Sequence, residues 1–240
     1  MNIEEIYNSF LCKGILNYYP KEIFIKHYDR VPLQRDETFK FCLNYFKDKE
    51  MINIVELGTS RSFVDGKFNG CLKNDTKYWE PNCLEKWDWS AGIFTKYFSD
   101  ILTYRNKNYK ITTVDLSSQA IDVCKIMTKN NENYINYIIG DSENFIKNCE
   151  IKSIDLLYLD TGNMDENTAQ LHLREAKLIV EKNILKDDGI ILIDDVRNPY
   201  MLEKKITDNK YGKSKYAIPY LLENGYKIIM DEYQVIMQKI

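Results

Sequence analysis

"NIVELGTSRSFVDG", residues 53–66, is an apolar run that ends in an acid, Glu56, and then turns through Gly58 into the small hydroxyl residues Thr59 and Ser60. A short, β-branched, nearly continuous apolar run closed by glycine reads as a strand buried on both faces. The glycines and charge of the corner that follows limit what it can hold. A dinucleotide's pyrophosphate asks for a G-x-G-x-x-G turn feeding directly into a helix N-terminus. Residues 58–63 read Gly-Thr-Ser-Arg-Ser-Phe, one glycine where three are wanted. Glu56 adds negative charge, which opposes a diphosphate but suits a ligand carrying an ammonium and a sulfonium.

Working outward, "MINIVEL" (51–57), "ITTVDL" (111–116), "YINYIIG" (134–140), "IDLLYLD" (154–160) and "GIILIDDV" (189–196) alternate with helix-length segments at about 90–104, 117–130, 142–148 and 165–184. This alternation predicts a doubly wound, Rossmann-like α/β fold with a mostly parallel sheet and helices on both faces. Two apolar-periodic segments come first, 3–16 and 34–47, the second with Phe39, Cys42, Leu43 and Phe46 at helical spacing. The terminal "GYKIIMDEYQVIMQKI" holds two strand-like runs separated by only a few residues around Asp231 and Glu232. So tight a return predicts an antiparallel pair, although Asp-Glu is not a favoured two-residue turn and one long bent strand is the alternative.

The chain of 240 residues has 33 Lys+Arg against 36 Asp+Glu, so no basic excess is present to grip nucleic acid. No repeat or linker divides it, and no apolar run reaches membrane-spanning length. Cys12, Cys42, Cys71, Cys83, Cys124 and Cys149 are scattered without a C-x-x-C pair, as expected of reduced thiols in a cytoplasmic protein. The expected organisation is an N-terminal helical segment, 1–50, packed on a domain spanning 51–240.

In an open α/β sheet ligands bind beyond the carboxyl ends of the strands, where strand order reverses. Here those ends are acidic in turn: Glu56, Asp115, Asp141, Asp160, then Asp194 and Asp195. Each has an ordinary alternative as a helix cap. Asp115, with Leu116 beside it in "TVDLSS", is placed to accept ribose hydroxyls, and Asp141 with Ser142 to meet an adenine edge. Glu56, Gly58, Thr59 and Ser60 form the first corner. A ligand with a ribose, an adenine and a cationic amino-acid tail matches this set, and S-adenosylmethionine is such a ligand.

The ordered set "VELGTSRS", "TVDLS", "IGDSENF", "DLLYLDT", "LKDDGIILIDDV" and a terminal strand pair resembles the class I S-adenosylmethionine-dependent methyltransferases over about residues 51–240. The resemblance implies a seven-stranded sheet with an antiparallel last strand and a cofactor across the first three strand ends. The Glu56–Gly58 corner would then approach the methionyl part, Asp115 the ribose, and the Asp141–Ser142 turn the adenine. Small-molecule O-methyltransferases that use a metal, and the related cephalosporin-hydroxylase-like group, carry acids where Asp160, Asp194 and Asp195 stand. This implies a small-molecule hydroxyl acceptor, Asp160 as a catalytic group, and a divalent cation such as Mg2+ on the three acids. Hard cations of that kind take carboxylate oxygens and lower an acceptor's pKa. The pattern also departs from these groups. After Asp160 comes Thr161-Gly162-Asn163, with neither a lysine nor a histidine, and His172 falls in a helical run where packing is its expected role.

A second departure is the stretch at about 63–89, which holds Trp79, Trp87, Trp89 and Tyr78, between the glycine corner and a helix near Ser90. It reads either as a lid or pocket wall, or as an aromatic flap on the surface or at a homodimer contact. Gly92, in the first turn of that helix, can let the backbone approach a cofactor or can be a plain helix-start glycine. "RNPY" (197–200) reads as a turn, and 209–225 either as a border of the acceptor pocket, with Tyr211 and Lys213, or as a loop and helix returning to the sheet. A nucleotide-binding oxidoreductase and a silent cofactor-binding module are the rival functions.

Overall fold

The first strand, β1 (Met51–Leu57), lies inside the sheet between two parallel neighbours, and its last four residues are all buried. Ile52, Ile54 and Val55 give it the stiff, branched side chains that pack well on a pleated surface. The structure is a computed structural model and describes residues 32–59, 94–162, 165–197 and 211–240. The segment expected at 3–16, the insertion at 63–89, Ser60 and Gly92 lie outside the described residues.

Seven strands lie in the order β3-β2-β1-β4-β5-β7-β6. β2 (Asn108–Asp115), β3 (Ile135–Ile139), β4 (Ile154–Leu159) and β5 (Leu185–Ile193) run parallel with β1. β7 (Val235–Lys239) runs antiparallel between β5 and β6 (Tyr226–Asp231). The terminal pair is therefore a hairpin rather than one bent strand. Its connection is Glu232, Tyr233 and Gln234, so no two-residue Asp-Glu turn is needed. Two strands start earlier than their apolar runs suggest. β2 begins with the alternating Asn108, Tyr109 and Lys110, whose inward member Tyr109 is buried while its neighbours face out. β5 begins at Leu185, which pairs with Ile154 before an irregularity in the register.

Successive residues on a strand face opposite sides, so the sheet has two cores. On one face Ile52, Ile54, Ile111, Leu156, Tyr158 and Leu192 pack against α1 (Pro32–Tyr45) and α2 (Phe94–Tyr104). On the other, Leu57, Leu157, Leu159, Ile191 and Ile193 pack against α5 (Glu166–Lys182) and α6 (Ala217–Glu223). Two shorter helices, α3 (Ser118–Met127) and α4 (Ser142–Lys147), follow β2 and β3.

Phe39, Cys42, Leu43 and Phe46 form the buried stripe of α1 and the turn after it, as their spacing predicts. The Phe39 ring lies 5.7 Å from Phe94, 5.4 Å from Phe98 and 6.2 Å from Tyr158, edge-on in each case. Tyr158 in turn stacks on Phe94 at 4.3 Å. α1 is thus part of the main core. Replacing Phe39 with alanine should cost about 3–5 kcal/mol in urea unfolding. A loss below about 1 kcal/mol would mean that α1 is only loosely applied to the sheet.

Candidate functional site

Parallel register brings the strand ends level: Leu57 pairs with Val114 on one side and Leu159 on the other, and Leu159 pairs with Ile193. The residues that follow, Gly58, Asp115, Asp160 and Asp194, consequently form one row along the carboxyl rim. Strand order reverses between β1 and β4, which places the middle of this row at the switch point.

At that point Gly58 has φ +85°, and a Cβ on it would lie 2.5 Å from the carbonyl oxygen of Asp160. Only glycine allows the β1 corner to sit this close to the end of β4. Behind the corner Glu56 is 1% exposed. Three hydroxyls donate to its Oε2: Thr113 at 2.5 Å, Thr95 at 2.6 Å and Thr59 at 3.1 Å. Its Oε1 is buried and has no hydrogen-bond partner among the described residues. Burial pushes the carboxyl up to about 7 against the opposing pull of the three threonines. A buried, half-satisfied carboxylate is costly unless something cationic or hydrogen-bonding meets it.

Asp115 ties the two central corners together. Its Oδ2 accepts from Thr59 N at 3.0 Å and its Oδ1 from Ser117 N at 2.7 Å. The cap of α3 is Ser117, which accepts from Ala120 N at 3.2 Å, so Asp115 is not that helix's cap. Next to it Leu116 is 75% exposed, and Ile139, the register partner of Asp115 on β3, is 56% exposed. Two large apolar side chains are thus left uncovered beside an acid. Asp141 is the cap of α4, accepting from Asn144 N at 2.7 Å. Ser142 is buried and donates to Glu175 Oε1 at 2.5 Å, and Thr161 donates to Glu175 Oε2 at 2.9 Å. Glu175, on α5, thereby links the turns after β3 and β4, and burial lifts its carboxyl to about 7 against those two hydroxyls.

The acids after β4 and β5 do converge. Carboxylate oxygens of Asp160, Asp194 and Asp195 lie within 4.8 Å of one another, a spacing able to hold a metal ion. Their immediate partners are cationic side chains. Arg35, from α1, forks onto Asp194, with Nε 3.0 Å from Oδ1 and Nη2 2.7 Å from Oδ2. Gln234 Nε2 donates to the same Oδ1 at 2.7 Å. Lys213 Nζ is 2.6 Å from Asp160 Oδ1 and 3.3 Å from Asp195 Oδ2. Tyr233 donates its hydroxyl to Asp195 Oδ1, and its ring lies 5.0 Å below the Arg35 guanidinium. Burial works against the Asp194 charge, yet the Arg35 guanidinium holds that carboxyl well below the usual range. Asp160 moves the other way: burial, then the Asp194 charge, push it up to about 8 despite Lys213. As a donor set for Mg2+ the triad fits poorly. Both oxygens of Asp194 are spoken for by a bidentate guanidinium, and an ammonium bridges the other two acids.

His172 belongs to the scaffold, as its helical position suggests. Its Nε2 donates to the Thr161 carbonyl at 3.1 Å, which leaves Nδ1 to accept from Ser214 Oγ at 2.6 Å. Burial, and then the Lys213 charge, push the ring down to about 3, so it stays neutral. Arg35 and Glu175 escaped the sequence reading, although both carry the same mark. Each is a charged residue at a position on its helix's apolar stripe, Arg35 four before Phe39 and Glu175 four before Ile179.

No protein-family model matches the chain, and no curated protein matches it. Solved structures do. A Corynebacterium glutamicum protein aligns over 99% of this chain and 97% of its own, with TM-score 0.53 and 9% identity. Cofactor-bound Rv0187 from MTB covers 85% of this chain and 79% of its own, with TM-score 0.53 and 10% identity. SAH-bound Podospora anserina methyltransferase PaMTH1 covers 92% and 89%, with TM-score 0.48 and 15% identity. At such identities the likeness to the first two is one of fold, and the chain has the seven-stranded, doubly wound, Rossmann-like fold with an antiparallel seventh strand.

Proposed function

We propose that the chain is an S-adenosylmethionine-dependent methyltransferase acting on a hydroxyl group of a small molecule. The observation that carries this reading is the buried Glu56 carboxylate, with one oxygen unsatisfied among the described residues, at the switch point of the sheet. A diphosphate would be repelled there, whereas an ammonium-bearing amino-acid tail would meet the vacant lone pairs. Glu56, Gly58 and Thr59 would hold that tail, Asp115 the ribose, and Leu116, Asp141 and Ser142 the adenine. Leu116 supports the last assignment because its exposed side chain would be covered by a flat aromatic base.

Bound at this rim, S-adenosylmethionine supplies an electrophilic methyl carbon on a sulfonium. The protein's part is to align the acceptor and to take its proton. Asp160 is the group for the second task. Lys213 holds its Oδ1, and the Tyr158 hydroxyl reaches Oδ2 from 3.4 Å. A carboxyl raised to about 8 is a stronger base than an ordinary aspartate, and it is in its proton-accepting form above that pH. No step is assigned to a divalent ion, since Arg35 and Lys213 already neutralise the acids that would hold it.

Calorimetry should show S-adenosylhomocysteine binding and no binding of NAD(P); the reverse would make the chain an oxidoreductase. Asp115→Ala should weaken S-adenosylhomocysteine by about 1.5–3 kcal/mol, the worth of hydrogen bonds to a charged group. Seating an ammonium beside Glu56 displaces its proton. Affinity should therefore fall as pH drops below about 7, by up to about tenfold per unit, and stay level above it. Glu56→Gln should abolish this slope, and a wild-type profile that is flat would remove Glu56 from the tail's contacts. Once an acceptor is identified, Asp160→Asn should lower kcat by about 10²–10⁴ with cofactor affinity unchanged. An unaltered kcat would take Asp160 out of the chemistry.

A further inference from the structure

Lys213 is among the most deeply buried charges of the chain, its side chain 1% exposed, and it points into the space shared by the three rim acids. The turn that carries it is fixed on both sides. Gly212 has φ +53°, and a Cβ on it would collide with the carbonyl oxygen of Asp195. Ser214, on the other side, is held by His172, which is itself anchored to the Thr161 carbonyl. Neutral His172, Ser214 and Gly212 thus bolt the lysine's backbone to the ends of β4 and β5. The base of the Lys213 side chain is therefore fixed beside the acids.

The charges are arranged as a divalent ion would arrange them. Asp160 meets Lys213, Asp194 meets Arg35, and Asp195 lies between the two, 3.3 Å from Lys213 Nζ and 3.7 Å from Arg35 Nη2. Two separate monovalent side chains supply the positive charge that one metal ion would bring. A metal ion entering this space would have to face both at contact distance, with few lone pairs turned toward it.

We propose that Lys213, assisted by Arg35, is the resident cation of this site: the three acids bind no metal while Lys213 is present, and the two it pairs with, Asp160 and Asp195, become a divalent-cation site when its charge is removed. In the reaction proposed above, on which this part of the role rests, Lys213 is a positioning residue that fixes the Asp160 carboxylate toward the acceptor. Its ammonium replaces a metal's orienting contact and leaves proton removal to the carboxylate.

The test uses Mn2+ as the probe, read by electron paramagnetic resonance on the full chain without cofactor or acceptor. Wild type should leave Mn2+ free at millimolar concentration. Lys213→Met, which keeps the volume and removes the charge, should bind one Mn2+ on the order of a hundredfold more tightly, and adding Asp195→Asn should abolish that binding. Stoichiometric Mn2+ binding by wild type that is lost in Asp195→Asn would overturn the proposal, as would a folded Lys213→Met that binds none. If Lys213→Met does not fold, the wild-type measurement decides alone, with free Mn2+ supporting the proposal and an Asp195-dependent bound ion overturning it. Since the readout involves no adenosyl compound, a failure to bind S-adenosylhomocysteine would sink the proposed function and leave this result standing.

Discussion

Gathering carboxylates at the end of a parallel sheet removes charge from water, and the rest of the site is organised around that cost. Where acids are close together, Arg35 and Lys213 are buried with them, and each acid has a cationic partner. Where an acid stands alone, hydroxyls take over: three for Glu56, two for Glu175. Only the bidentate guanidinium keeps its acid, Asp194, charged at any ordinary pH; Asp160 beside Lys213, like Glu56 and Glu175 among their hydroxyls, is pushed up by burial toward protonation. A buried ion pair is weak evidence for net stability, but losing one partner from it is strongly destabilising.

The rim was legible in the sequence because it is periodic. Each parallel strand carries a short apolar run with an acid at or just past its carboxyl end, and parallel register then makes the acids neighbours without further information. Asp160, Asp194 and Asp195 could be grouped in this way from strand order alone. Their counter-ions could not. Arg35 meets Asp194 across 159 positions of chain, and no local pattern states that distance. Lys213 was visible as a residue that could border the acceptor pocket, but nothing in its segment pairs it with Asp160 and Asp195. Asp141 shows a different limit, since the same residue type serves as a helix cap and as an adenine-facing acid. In the structure it caps, and that geometry leaves its second use open.

The scaffold also explains residues that look functional and are structural. His172 has the residue type and the depth of a catalytic base, yet both ring nitrogens are engaged and its neighbour is a lysine. It works at one remove, by fixing a turn. Glu175 is similar: no cation pairs with it among the described residues, and it braces the turns after β3 and β4 against α5. Such residues tie the strand-end turns to the helices behind them, and aligned displacement chemistry depends on holding groups in place in this way.

Asp194 draws its partners from opposite extremes of the described chain, Arg35 near its start and Gln234 near its end. That acid is fully partnered only once α1 and the β6–β7 hairpin have both docked against β5. Sequence-distant closures of this kind are the slow ones in folding, and local opening of either element leaves the buried carboxylate half-satisfied.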